Sequence, residues 1–136
     1  MRRDPVDGLP VVGSTSSSEL GVRPGVDIAI DEAGNVVLDE SGMSVAPDWR
    51  DLGITRIPKT LRHIVPGANA SPNMSCYATG VGPFQNGALA RGLELIPDRD
   101  LNPVTHGVIA PLEAVTFSQF QADLENTRAA WQIDET

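Results

Sequence analysis

Between residues 46 and 73 the chain carries Pro47, Gly53, Pro58, Pro66, Gly67 and Pro72, and this punctuation limits the fold more than any other feature. Proline lacks the amide hydrogen a helix needs, its ring clashes with the preceding turn, and the residue before it is pushed toward extended backbone. No long helix fits here; a helical turn or two over residues 59–64 is the most the stretch can hold. Regular structure must come from the segments on either side.

Upstream, VDIAI (residues 26–30) and NVVL (residues 35–38) flank Asp31-Glu32-Ala33-Gly34. Two β-branched runs around a glycine-bearing turn predict a hairpin. A short Met43-Ser44-Val45 run follows Gly42. Downstream, turn signals at Gly82-Pro83 and Asn86-Gly87 precede an apolar run over residues 88–96, which reads as one strand stopped by Pro97. THGVIAP (residues 105–111) is a second strand, ended by Pro111. In TFSQFQADLENTRAAW, Phe117, Phe120, Leu124 and Trp131 recur at helical spacing, and Thr116 with Gln119 has the capping-box pattern. The expectation is one compact domain over residues 20–136, closed by a strand and an amphipathic helix across residues 105–131. Residues 1–19 combine Pro, Gly and a Ser/Thr cluster, bury little apolar area and read as a flexible arm.

At 136 residues the chain fits a single domain able to bury roughly two thirds of its unfolded surface. Its one cysteine, Cys76, rules out an internal disulfide, and no apolar run approaches the roughly 20 residues needed to cross a bilayer. The amino terminus has no sustained apolar stretch and does not read as a secretory signal. A net charge of -8 opposes tight, sequence-independent binding to phosphate backbones. Arg50, Arg56, Lys59 and Arg62 nevertheless fall within thirteen positions, a local basic face able to receive an anion.

The short motifs are individually weak. Gly80-Val81-Gly82 is followed by Pro83, and the third glycine comes late at Gly87, so a dinucleotide-binding turn is not expected. Asp27, Asp31, Glu32, Asp39 and Glu40 lack calcium-loop spacing. Cys76 has no spaced zinc partner; it reads as a buried thiol, and a small hydrolase built on Cys76 and a histidine is the last-ranked reading. His106 beside Val108 and Ile109 is either a satisfied sheet histidine or a pocket histidine. In Gly42-Met43-Ser44-Val45 a glycine permits a tight turn and the strand offers a hydroxyl. Arg23 precedes Pro24, so its backbone is extended; its guanidinium suits bidentate phosphate contact, although a plain loop arginine has the same appearance.

VDIAIDEAGNVVLDESGMSVAPD and THGVIAPLEAVTFSQFQADLENTRAAW, in that order, resemble the ADP-ribosyltransferase-like toxin effectors of bacterial type VI secretion. The shared features are a D-I strand, a D-x-x-G-x-V turn and strand, a G-x-S-V run, and T-H-x-x-I-x-P leading into a terminal helix that ends at tryptophan. They span residues 26–48 and 105–131, under half the chain. The resemblance implies an α+β fold, ADP-ribosyltransferase-like, with a mixed, mostly antiparallel split β core and a C-terminal amphipathic helix. It also implies a cleft holding NAD as substrate. In such enzymes the nicotinamide–ribose bond breaks through an oxocarbenium-like transition state, and a protein, nucleic acid or water captures the ribosyl carbon.

The roles the resemblance implies fall on Ser44, bracing the pocket, on His106, and on Arg23 as the looser NAD anchor. The sequence has no E-x-E or Q-x-E pair, so Glu113 is the carboxylate candidate, with Glu94 a second. The resemblance further implies delivery to a target-cell cytosol and neutralisation by a cognate immunity protein. A competing reading is a non-enzymatic interaction module of a larger secreted toxin system, using the proline-rich middle for recognition.

Overall fold

The computed structural model describes residues 1–82 and 84–136; the expected Gly82-Pro83 turn therefore includes a residue outside those described. Four strands form one antiparallel sheet: β1 (Met43–Val45), β3 (Gly87–Ala90), β4 (Leu93–Pro97) and β5 (Gly107–Pro111), in the order β1-β5-β4-β3. A second antiparallel sheet pairs β2 (Tyr77–Ala78) with β6 (Gln132–Ile133). With the helix α1 (Phe117–Glu125) this is an α+β domain.

The run expected as one strand over residues 88–96 is instead the β3–β4 hairpin, with Ala90 paired to Leu93 around Arg91-Gly92. Gly92 has φ +77 and its missing Cβ leaves room for the Asp123 carboxylate. A left-handed turn residue thus splits an apolar run whose hydrophobicity alone looks continuous. The hairpin expected over residues 26–38 is present only as an isolated Ile30–Val36 bridge. Hydrogen bonds from the Asp31 N–H to the Asn35 carbonyl and from the Val37 N–H to the Ala29 carbonyl flank it, and the outward Val36 N–H bonds the Val115 carbonyl at 2.8 Å, so the second arm is shared with the approach to α1. The middle holds two short 3-10 turns, Trp49–Asp51 and Lys59–Leu61, as its prolines require.

Helix α1 starts where its cap predicts, Thr116 Oγ1 accepting from the Gln119 N–H at 3.1 Å. The Gln119 side chain donates to Asp123 Oδ1 at 2.9 Å rather than returning to the cap. The helix stops at Glu125, short of Trp131, because Thr127 Oγ1 takes the Leu124 carbonyl at 2.6 Å and competes with the helical ladder. Trp131 still reaches the core through the 3-10 turn Arg128–Ala130. Phe120 and Leu124 are fully buried against Met43, Leu93 and Ile109 on one face of the sheet, joined by Leu20, Val22, Ile28 and Val36; each large side chain contributes about 1.5–3 kcal/mol. A separate cluster of Trp49, Ile57, Leu61, Ala68 and Cys76 fills the middle lobe.

Residues 1–19 are hydrogen-bonded into this body, where composition suggested a loose arm. The Arg3 N–H donates to the Asn73 carbonyl at 2.9 Å, the Leu20 N–H to the Val11 carbonyl at 2.8 Å, and Arg128 reaches Asp4, Asp7 and the Pro10 carbonyl. Glu19 organises the Ser/Thr cluster, accepting from the Thr15 and Ser16 N–H groups and from Arg2. Polar partners hold what apolar area cannot.

Candidate functional site

Register decides which candidates share a surface. In antiparallel sheets directly opposed residues lie on one face and alternate along each strand. Met43, Ile109 and Leu93 face the core, so Ser44, opposite Val108, and Ile96, also opposite Val108, face away. Two residues along, Ala110 and its partner Glu94 lie on the same outer face. His106 stands two positions before Val108 at the entry to β5, where its carbonyl accepts from the Asp98 N–H at 2.8 Å and continues the ladder. The outer face therefore carries His106, Ser44 and Glu94, the last two with backbones roughly 12 Å apart by strand spacing and rise.

A cleft of about 190 Å3 opens at this face, lined by Ile96, Ala110, Glu40, Ser41 and Glu94 but by neither Ser44 nor His106. Ligand pockets usually span roughly 300–1,000 Å3, so the cleft is smaller than a typical ligand pocket. Glu40 holds φ 65 at its edge, backbone that side-chain-bearing residues rarely adopt.

Gly42 explains half of the G-x-S-V run. A Cβ there would collide with the Ile109 carbonyl oxygen, so glycine lets β1 lie against β5 and sets Ser44 in register. Ser44 is exposed and also borders a small depression at the free edge of β1, with Glu19, Asp27 and Arg56. Arg23 is bound to Asp27 there, Nε to Oδ2 and Nη2 to Oδ1 both at 3.0 Å. Burial pushes the Asp27 carboxyl up, but hydrogen bonds from the Arg23 side chain and N–H outweigh it and bring it below its ordinary range. Nη1 is the Arg23 nitrogen not engaged by Asp27.

Glu113 is exposed two residues beyond the end of β5, seven residues and roughly 20 Å of extended chain from His106. The structure brings Ser44, His106 and Glu94 onto one face and Arg23 toward the depression beside Ser44; Glu113 is exposed and follows Leu112, which lines the cleft. Cys76 is buried, and burial followed by the Glu135 negative charge pushes its thiol up to about 11. It is a thiol at neutral pH, which counts against the Cys76 hydrolase. Among the described residues no group of three or more His, Cys, Asp or Glu is placed to hold a metal, and no helix is long and apolar enough to cross a membrane.

The outer-face arrangement rests on the pairing of residue 44 with residue 108, which no local pattern reveals. Comparison with known protein families, curated proteins and solved structures gave no match.

Proposed function

We propose that this chain is an NAD-directed effector with an ADP-ribosyltransferase-like fold, transferring ADP-ribose or cleaving NAD in a target-cell cytosol and restrained by a cognate immunity protein. The observation that supports this reading is the common outer face of Ser44, His106 and Glu94, the last of which lines the cleft. In this reading His106, with Arg23 at its remaining Nη1, fixes the ribose and phosphate of NAD, and Ser44 braces the pocket. The carboxylate of Glu94 stabilises the ribosyl cation as the C–N bond breaks and its electron pair leaves with nicotinamide. An acceptor oxygen or nitrogen then bonds the ribosyl carbon and gives up its proton.

Expression of the wild type and of the Ser44→Ala, His106→Ala double variant in a bacterial cytosol, with NAD measured, tests the proposal. Growth arrest with falling NAD, rescued by the double variant, supports it; equal growth and equal NAD in both strains sinks it. The smallness of the cleft favours the interaction module as the second reading. For that module, purified chain binds no NAD and turns none over.

A further inference from the structure

From residue 52 to residue 93 the sequence has no Asp or Glu but has Arg56, Lys59, Arg62 and Arg91. That stretch carries four cations and no carboxylate, a charge of +4; the remaining residues carry six cations and eighteen carboxylates, a charge of -12. Arg56, Lys59 and Arg62 fall within the segment that builds the middle lobe and its small core, whose Trp49 and Cys76 ends lie beside Asp48, Asp51 and Glu135.

Arg2, Arg23, Arg50 and Arg128 are each paired with carboxylates. Among the described residues, Lys59 and Arg62 pair with none. Arg62 Nε donates to the Ala68 carbonyl at 2.7 Å, and the Lys59 N–H to the Ala70 carbonyl at 2.9 Å. Both therefore stand against the loop at residues 67–70. Ile54 packs on that loop at Gly67 and bonds the Asn69 N–H through its carbonyl, yet it is 50 % exposed, and Ile64 is 41 % exposed. Cations without salt bridges and exposed aliphatic side chains within one short segment present two unmet demands: carboxylates and apolar contact.

We propose that this lobe, centred on Ile54, Lys59, Arg62 and Ile64, is a docking surface for a protein partner whose matching face is acidic with an aliphatic centre. Charge complementarity sets the sign of the partner, because at about 0.15 M salt the Debye length of about 8 Å confines each charge's influence to its own neighbourhood. The isoleucines select protein over nucleic acid, since phosphate backbones offer them nothing. Among the described residues, none of the large apolar side chains left exposed is aromatic, whereas single-stranded nucleic acid is held by aromatic stacking and membrane interfaces by Trp and Tyr. The inference does not depend on the NAD reading.

The test is selection from a random twelve-residue peptide library displayed on phage, against the wild-type chain and the Lys59→Glu, Arg62→Glu variant, whose thermal midpoint is checked first. The expected result is enrichment of peptides with Asp or Glu flanking Leu, Ile or Val, whose affinity falls at least tenfold on the double variant. Lys59→Glu alone, which leaves the Arg62 hydrogen bond in place, is expected to weaken them severalfold, as is Ile64→Ser. Enrichment of basic peptides, no enrichment, or affinity that survives these substitutions overturns the proposal. So does binding of a twelve-base-pair DNA duplex or of phosphatidylglycerol vesicles as tight as that of the selected peptides.

Discussion

Arg128 holds both carboxylate oxygens of Asp7, Nη1 to Oδ2 at 2.6 Å and Nη2 to Oδ1 at 3.0 Å, across 121 positions of sequence. The same guanidinium reaches Asp4 at 3.1 Å and the Pro10 carbonyl at 2.8 Å, so one side chain fastens residues 4–10 to the end of the helical segment. Arg128→Ala is expected to speed amide exchange at residues 2–12 while leaving β4 and β5 protected.

The clamp also sets a pH dependence. Hydrogen bonds from Arg128 hold the Asp7 carboxyl below its ordinary range, so its folded value lies under its unfolded value of about 4. The contribution is therefore complete above about pH 4 and is lost as pH falls through the depressed folded value. Amide exchange followed downward from about pH 6 is expected to show residues 2–12 opening before the core below about pH 4, and Arg128→Ala is expected to abolish that early step.

Gly42 faces a tighter constraint. A Cβ there collides with the Ile109 carbonyl oxygen and stands 3.3 Å from Ala110 Cα, both backbone atoms that cannot swing aside. Gly42→Ala is expected to destabilise the protein by about 1–3 kcal/mol, as overpacking in a well-packed interior does, read as a lower urea midpoint at unchanged slope. A wild-type midpoint would show that β1 does not lie this close to β5.

Local features carried over well from sequence to structure. Thr116 caps α1, Pro111 ends β5, and Phe120 with Leu124 forms the buried stripe, because caps, stops and helical periodicity act within four residues. What depended on distant pairing was hidden. Gln121 reads as an ordinary helix residue, yet all but one of its side-chain partners lie about a hundred positions away. The placing of Glu94 turns on its pairing with Ala110 of β5, and the split at Gly92 on a conformation that composition does not report.

Gln121 offers a direct test of that hidden link. Its Oε1 accepts from the Val22 N–H at 3.1 Å, while Nε2 donates to the Gly13 carbonyl at 3.2 Å and to Glu125 Oε1 at 3.1 Å. Gln121→Ala leaves the buried Val22 N–H without its partner and is expected to destabilise by about 1–3 kcal/mol. Gln121→Glu is expected to lower the thermal midpoint further, because it sets a carboxylate against Glu125 and a backbone carbonyl. A milder effect for Glu than for Ala would mean that the donated hydrogen bonds are dispensable.

Cys76 is expected to be silent in the native state. With its thiol pushed up to about 11 by burial and by Glu135, thiolate is scarce at pH 8, and thiolate is the reacting species. Ellman's reagent is expected to modify Cys76 at the rate of global opening and to react at once in denaturant. Rapid reaction of the folded protein would reopen the Cys76 nucleophile.

The two carboxylates separate under the proposed chemistry. Glu94 is half-buried at the cleft and shares its face with Ser44, whereas Glu113 is exposed beyond β5. A group that stabilises developing charge in the transition state accounts for roughly 10²–10³ in rate. Glu94→Gln is therefore expected to cut NAD consumption by that factor with little change in NAD affinity, and Glu113→Gln to stay within about twofold of wild type. Thermal midpoints near wild type for both variants would separate lost chemistry from lost folding. The reverse pattern would move the carboxylate role to Glu113, and undiminished turnover in both would remove either glutamate from the mechanism.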